Sequence, residues 1–189
     1  VKHRIVGTLA GARGAFGVAS GTPRNASTHF GIGYISGRLT IDQYVDLSDM
    51  AWGNGDVRSP TWGRIIPGVN PNHYTVSTEH EDGGSANRGR VSDEVWQASM
   101  ELSKLLRCGD PAKIRAAGIR VRSNATVAQL AAMPIDADSY IDHHQIAGPN
   151  KPWCWRDFDR DHGFPSRLPG LLASLAAPPE EEDTMREDT

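Results

Sequence analysis

Two short runs of alternating apolar and polar residues, joined by a tight turn, constrain the fold of this chain more than any other feature. The runs HFGIGYIS and RLTIDQYVD cover His29–Ser36 and Arg38–Asp46. Alternation with a period of two is typical of β-strands, and Ser36–Gly37 between the runs is typical of a hairpin turn. The sequence therefore predicts an antiparallel strand pair with one face for a core and one for water or a substrate.

Other local patterns predict further strands and helices on both sides of this hairpin. Three more runs read as strands: Val1–His3, with His3 at its C-terminal end, Tyr74–Glu81 and Ser139–His143. Helix signals recur at five places: Thr8–Phe16, a helix capped by Ser92, one from Asp110–Pro111 to Gly118, Thr126–Met133, and a final Leu/Ala segment. The capping residue, the proline at the first helical position and the terminal glycine carry the two central helix predictions.

Length and composition indicate one domain with a short tail. The chain has 189 residues, a net charge of −3 and 38% apolar residues. We assign residues 1–177 to the domain and residues 178–189 (PPEEEDTMREDT) to an acidic, disordered tail or linker. The acidic balance disfavours nucleic acid as a partner. No run approaches the roughly 18 apolar residues of a membrane span, and no signal peptide is recognised.

The stretch Ile141–Trp155 (IDHHQIAGPNKPWCW) carries most of the candidate chemistry. It holds the adjacent histidines His143 and His144, then Lys151 and Cys154. Imidazole and thiolate are ligands that zinc prefers, and a catalytic zinc site uses three protein ligands and one water. Because this stretch offers two ligand positions, a third must come from elsewhere, and His3 is the candidate.

Two further features outside that stretch bear on function. Glu79 lies in a strand-like run, where an unpaired carboxylate is costly to bury, so we expect it to face a polar cavity. The tryptophans Trp52 and Trp62 lie in a long Gly/Pro-rich segment. They either form platforms for sugar rings or peptide stems, or pin the segment to the core. His80 and Cys108 are predicted to be structural, the latter as a simple thiol at a helix end.

Four motifs in order along the chain resemble those of the zinc-dependent N-acetylmuramoyl-L-alanine amidases. The motifs are HRIVGT, NASTHFGIG, TVSTEHED and HHQIAGPNK followed by a cysteine, and they span His3 to Cys154. This superfamily includes phage endolysins, bacterial wall-recycling amidases and peptidoglycan recognition proteins, and the likeness is strongest to the amidase domains of phage endolysins. The resemblance implies an α/β fold, with a central mixed β-sheet flanked by α-helices in a single domain.

The resemblance also implies a site and an activity. His3, His143 and Cys154 would bind Zn²⁺, Glu79 would act as the catalytic acid and base, and Lys151 would stabilise the oxyanion. The substrate would contact a separate set of residues: Trp52, Asn54 and His29. The chain would be a monomeric hydrolase that cuts the amide bond between N-acetylmuramic acid and L-alanine in peptidoglycan, with the glycan strand and stem peptide as partners. It would be made in the host bacterial cytoplasm and act at the cell wall.

Some positions depart from the family pattern. Two residues rather than one separate Lys151 from Cys154, Thr28 stands where some phage relatives carry a catalytic tyrosine, and Gly53 replaces a frequent histidine. The histidine doublet leaves open whether His143 or His144 is the ligand.

Two other functions remain as alternatives. The first is a non-catalytic peptidoglycan-binding module on the same fold, although the presence of Cys154 favours an enzyme because some non-catalytic relatives have lost the thiolate. The second is a metal-dependent nuclease, which the acidic charge balance disfavours.

Overall fold

The computed structural model describes residues 1–16, 27–83, 90–148 and 164–177, which form a single α/β domain. Four strands form one mixed sheet: β1 (Lys2–Ile5), β2 (Phe30–Ile35), β3 (Arg38–Gln43) and β4 (Thr78–Glu81). Their order across the sheet is β1-β4-β2-β3, with β1, β4 and β2 parallel and β3 antiparallel to β2. The predicted α/β class with a central mixed sheet is confirmed.

The predicted hairpin is present, and its turn explains its register. Ser36 and Gly37 both have positive φ, at 49° and 77°. Two positive-φ residues form the type of two-residue turn whose twist matches that of the flanking strands. The turn therefore sets the pairing of Ile35 with Arg38 and, five pairs further along, of Phe30 with Gln43.

Six helices accompany the sheet in the described residues: α1 (Leu9–Phe16), α2 (Asp93–Leu106), α3 (Pro111–Ala116), α4 (Asn124–Ala132), α5 (His144–Ala147) and α6 (Phe164–Ala176). A 3-10 turn covers Pro71–His73. The Ser92 hydroxyl accepts from the Val95 amide at the start of α2, and the Asp110 carboxylate accepts from Ala112 and Lys113 at the start of α3. The Ser92 contact is the predicted N-cap, and the Asp110 contact caps the helix that was predicted to start at Asp110–Pro111. None of the described helices has the length and apolar character needed to cross a membrane.

Helices pack on both faces of the sheet. On one face, Phe30 and Ile32 of β2 join a core that includes Val95 and Leu102 of α2. The other face of β2 carries Gly31 and Gly33, against which α1 packs through Leu9. His3 and Glu79 alternate onto this second face together with the glycines, because successive residues of a strand point to opposite sides.

Three predicted strands differ from the structure. β1 runs to Ile5, so His3 lies in its N-terminal half and not at its C-terminal end. The strand predicted at Tyr74–Glu81 is limited to Thr78–Glu81, since Tyr74 ends the 3-10 turn and residues 75–77 are irregular. The strand predicted at Ser139–His143 is reduced to one bridge between Lys2 and Asp142, since the chain turns there into α5.

The other predictions divide between confirmed segments and segments outside the described residues. The helices predicted at Thr8–Phe16 and Thr126–Met133 correspond to α1 and α4. The final helix starts earlier than expected, at Phe164, and contains Pro169. Residues 17–26 and the whole predicted acidic tail, 178–189, lie outside the described residues.

Gly33 is predicted to tolerate no side chain, because α1 approaches the sheet there. A Cβ at Gly33 would lie 2.6 Å from Glu81 Cβ and 2.8 Å from Leu9 Cβ. We expect Gly33→Ala to lower the free energy of unfolding by about 1–3 kcal/mol, the usual cost of overpacking. Denaturant titration checks this. The matched control is Gly14→Ala on the open side of α1, where no atom lies within 4 Å and a helical alanine adds up to about 1 kcal/mol. Equal effects at the two positions would contradict the packing argument.

Candidate functional site

The parallel pairing of β1 with β4 brings a histidine beside a glutamate. His3 and Glu79 are register partners, and parallel neighbours in register project to the same face of the sheet. The His3 Nδ1 atom lies 3.9 Å from the Glu79 Oε1 atom. The His3 side chain is 2% exposed, whereas Glu79 is 12% exposed. A buried imidazole therefore adjoins a carboxylate that solvent can reach.

A local capping arrangement adds a second histidine to this pair. The Asp142 carboxylate accepts from the Gln145 amide at 3.1 Å, and the Gln145 side-chain oxygen accepts from the Asp142 amide at 3.0 Å. This reciprocal pair is a capping box, which starts α5. His143 lies inside the box, and its ring centroid is 4.4 Å from that of His3, with an angle of 58° between the planes.

Asn54 connects the two histidines. Its side-chain oxygen lies 3.1 Å from His3 Nε2, and its main-chain oxygen lies 2.7 Å from His143 Nε2. Asn54 is fully buried, and its own amide donates to Asn72 Oδ1 at 3.0 Å. The position of this one residue therefore depends on contacts with the loop at Asn72 as well as with both rings.

Main-chain hydrogen bonds hold the loop that carries Asn54 against α5. The Arg58 amide donates to the Ile146 carbonyl, and the amides of Thr61 and Trp62 donate to the Gln145 carbonyl, at 2.9–3.2 Å. Trp62 is buried, donates from Nε1 to the Asp138 carbonyl at 2.8 Å and stacks on Tyr74. Of the two readings left open for Trp62, the structure shows the one in which it pins the loop to the core.

Burial keeps the His3 imidazole in its neutral form. Desolvation, and secondarily the neighbouring His143 ring, holds the pKa of His3 well below its usual range. A neutral imidazole can bind a metal ion, whereas a protonated one cannot. The cluster therefore presents an uncharged ring beside a carboxylate.

The histidine doublet is distinguished by geometry. It is His143 whose ring lies against His3 and Asn54. His144 lies in the first turn of α5, half-buried, and its Nδ1 atom has no hydrogen-bond partner among the residues that the structure describes. The structure thus brings His3, Glu79 and His143 together, and His143 is the member of the doublet whose ring lies against His3.

The expected third ligand, Cys154, and the expected oxyanion-stabilising lysine, Lys151, lie outside the described residues. Among residues 1–16, 27–83, 90–148 and 164–177, no group of three His, Cys, Asp or Glu side chains is suited to hold a metal ion. The described part of the cluster holds the imidazoles of His3 and His143 and the carboxylate of Glu79. Cys108 is a free, exposed thiol at the end of α2, in keeping with its predicted role.

The three residues predicted to contact substrate occupy different environments. Trp52 is 49% exposed and lies two residues before Asn54 in the sequence. His29 is 1% exposed, and its ring bonds to the Ser77 hydroxyl and to the Asp49 carbonyl at 3.3 and 3.0 Å. The structure gives His29 and Asn54 internal bonding roles in place of the predicted substrate contact. Burial also lowers the pKa of His29 to about 4.

Two features of the site were missed in the sequence. The D-x-x-Q pattern of Asp142–Gln145 is a helix-start signal that was read as the end of a strand. The linking role of Asn54 has no local signal, because it depends on where a long loop meets two distant elements.

Comparisons with models of protein families, with curated protein sequences and with solved structures return no match to this chain.

Proposed function

We propose that the chain is a zinc-dependent hydrolase that cuts the amide bond between N-acetylmuramic acid and L-alanine in peptidoglycan. The observation that supports this proposal is the meeting of His3, Glu79 and His143, which are 76 and 64 residues apart in sequence, in one buried cluster. Their order and types are those that the amidase resemblance assigns to two metal ligands and a catalytic carboxylate. Buried ionisable groups gathered beside a partly exposed carboxylate are typical of active sites.

Zinc fits the donor set that the chain offers. Two buried imidazoles, one of them with a strongly lowered pKa, supply nitrogen ligands, and Cys154 would supply a thiolate. When bound in such a site, zinc acts as a Lewis acid on the scissile carbonyl and makes water acidic enough to attack at neutral pH.

The chain's own residues supply the proton transfers and the binding of substrate. Glu79 is positioned beside His3 and partly open to solvent, so it would accept the proton of the attacking water and deliver it to the leaving amine of L-alanine. Lys151 would donate to the oxygen that becomes negatively charged as the carbonyl is attacked. The exposed indole of Trp52 would provide a flat apolar surface for the sugar ring or stem peptide.

Product analysis of digested peptidoglycan tests the proposal. We expect the purified chain to release stem peptides with new free L-alanine amino ends and glycans with free lactyl carboxyl groups, both identified by mass spectrometry. A chelator should abolish release, and added Zn²⁺ should restore it. Cleavage that persists after complete metal removal would overturn the zinc assignment. Binding to peptidoglycan without any new amino ends would instead favour the non-catalytic module.

A further inference from the structure

Each of the two clustered histidines contacts an oxygen of Asn54, and the identity of these oxygens determines where each ring carries its proton. For His143 the contact is the main-chain carbonyl of Asn54, at 2.7 Å. A carbonyl oxygen only accepts, so the Nε2 atom of His143 must donate. In the neutral ring the lone pair then lies on Nδ1.

The side chain of Asn54 could present either its oxygen or its nitrogen to His3, and its contact with Thr75 distinguishes the two. The Thr75 hydroxyl donates its one proton to the Pro71 carbonyl at 2.9 Å. Thr75 Oγ1 can therefore only accept from Asn54, at 2.7 Å, so the Asn54 atom facing it is the Nδ2 nitrogen. The atom facing His3 is the oxygen, and the Nε2 atom of His3 donates to it at 3.1 Å.

We infer that Asn54 is a positioning residue that fixes the tautomer of both histidines, so that His3 and His143 present Nδ1 as their metal-binding atom. The part of this inference that concerns the metal rests on the proposed function. Histidines that bind metals usually donate their other ring N–H to an oxygen, which orients the ring and raises its basicity. Here one residue serves both rings, with its side chain for His3 and its backbone for His143.

The position of the Glu79 carboxylate relative to His3 is consistent with Nδ1 as the metal-binding atom. With the proton of His3 on Nε2, its Nδ1 lone pair faces the Glu79 carboxylate across 3.9 Å. Two acceptor atoms that face each other in a buried site are unfavourable unless a cation or a proton donor lies near them. The tautomer set by Asn54 therefore directs the nitrogen toward the carboxylate side of the cluster, where the reaction would occur.

The test compares substitutions of Asn54 that differ in acceptor capacity. Asn54→Leu keeps the size but removes the side-chain oxygen, whereas Asn54→Asp keeps an acceptor for His3. Two-bond ¹H–¹⁵N spectra of ¹⁵N-histidine-labelled, zinc-free protein report the tautomer of each ring directly. We expect Nε2–H at both histidines in the unsubstituted chain and in Asn54→Asp. In Asn54→Leu we expect a mixed tautomer at His3 and an unchanged one at His143, whose partner is the backbone.

Zinc affinity, measured by competition with a chelating dye, provides the second measurement. We expect Asn54→Leu to weaken Zn²⁺ binding by about 10–100-fold, the usual cost of losing a partner behind a ligand, and Asn54→Asp to restore most of it. Thr75→Val leaves Asn54 in place but removes the contact that orients its amide, so it should weaken binding in the same direction and by less. Because Thr75→Val leaves the buried asparagine unaltered, it keeps the test decisive even if Asn54→Leu fails to fold.

The outcomes separate this inference from the proposed function. A proton on Nδ1 of His3 in the unsubstituted chain, or equal zinc affinity and tautomers in Asn54→Leu, would overturn the role of Asn54 even if peptidoglycan is cleaved. Conversely, the expected tautomers and zinc affinities in a chain that releases no L-alanine amino ends would support the role of Asn54 and overturn the amidase activity.

Discussion

Replacing Glu79 with glutamine is expected to reduce peptidoglycan hydrolysis by about 10²–10⁴-fold, the range that a positioned general acid and base contributes. Glutamine has nearly the same shape but cannot accept and return a proton. Since Glu79 is the carboxylate beside His3 and is not assigned as a ligand, Zn²⁺ affinity should change little. The measurements are the rate of release of free L-alanine amino ends and the zinc content of the same preparation.

Glu81 provides a matched control on the same strand and the same face. Its carboxylate oxygen accepts from the amides of Leu9 and Tyr34, each at 2.8 Å, so it holds the start of α1 against β2. Glu81→Gln should therefore lower the melting temperature and leave the rate of hydrolysis close to that of the unsubstituted chain. Full hydrolysis in Glu79→Gln would require a different base, and a comparable loss in both variants would indicate a general effect of charge on this face.

Elements with strong local signals were predicted correctly, because those signals act within a few residues. The Ser36–Gly37 turn determined the hairpin, and the Ser92 cap determined where α2 starts. In both cases a single short-range hydrogen bond or backbone conformation favours one structure over others. Such elements need no knowledge of distant residues.

Elements that depend on distant partners were predicted poorly. β1 extends beyond His3 because Arg4 and Ile5 pair with residues of β4 more than seventy positions away. The strand expected at Ser139–His143 was wrong because the Asp142–Gln145 capping box favours a helix there. That box could have been recognised in the sequence, whereas the length of β1 could not.

Some features of the candidate site were likewise predictable from the sequence, and others depend on tertiary contacts. The residue types of the cluster were predicted from motif order, and their proximity follows from strand pairing and from the start of α5. The internal roles of His29 and Asn54 were not predicted, since burial and the direction of a loop side chain depend on tertiary contacts. Both residues were expected at the substrate, and both instead bond to neighbours within the fold.

A chain of hydrogen bonds runs behind β1, on the face opposite the cluster. The Lys2 ammonium donates to the Ser99 hydroxyl at 2.8 Å, Ser99 Oγ lies 2.7 Å from His80 Nε2, and His80 Nδ1 lies 2.7 Å from the main-chain oxygen of His3. The carbonyl of His3 only accepts, so His80 donates from Nδ1 and the Ser99 hydroxyl donates to Nε2. His80 is fully buried and has the structural role predicted for it.

Lys2 is the unusual member of this chain, because its amine is buried. It is 6% exposed and bonds to the hydroxyls of Ser99 and Ser103. Desolvation lowers the pKa of Lys2 from 10.5 to about 7. Between these values the unfolded chain keeps the proton and the folded protein does not, so the free energy of unfolding contributed by this group rises with pH.

Lys2→Met is therefore expected to stabilise the protein most near neutral pH and progressively less as the pH rises. Methionine fills similar space without an amine, while the Ser103 hydroxyl still donates to the Ser99 carbonyl and the Ser99 hydroxyl still donates to His80. The stability advantage of the variant should shrink by about 3 kcal/mol between pH 7 and pH 9.5, given about 1.4 kcal/mol for each pH unit. Urea titrations of both proteins across this range measure the difference.

Lys104→Met serves as the control. Lys104 lies on α2, the helix that carries Ser99 and Ser103, and its side chain is 42% exposed and paired with Glu101. Its amine remains in contact with water in the folded protein, so this variant shows the effect of replacing a lysine with methionine without removing a buried amine. Parallel stability curves for the unsubstituted chain and Lys2→Met would mean that the Lys2 amine keeps its proton in the folded protein. The hydrogen-bond chain behind His3 would then carry a full positive charge at neutral pH, and the neutral state of the neighbouring imidazoles would have to be reconsidered with it.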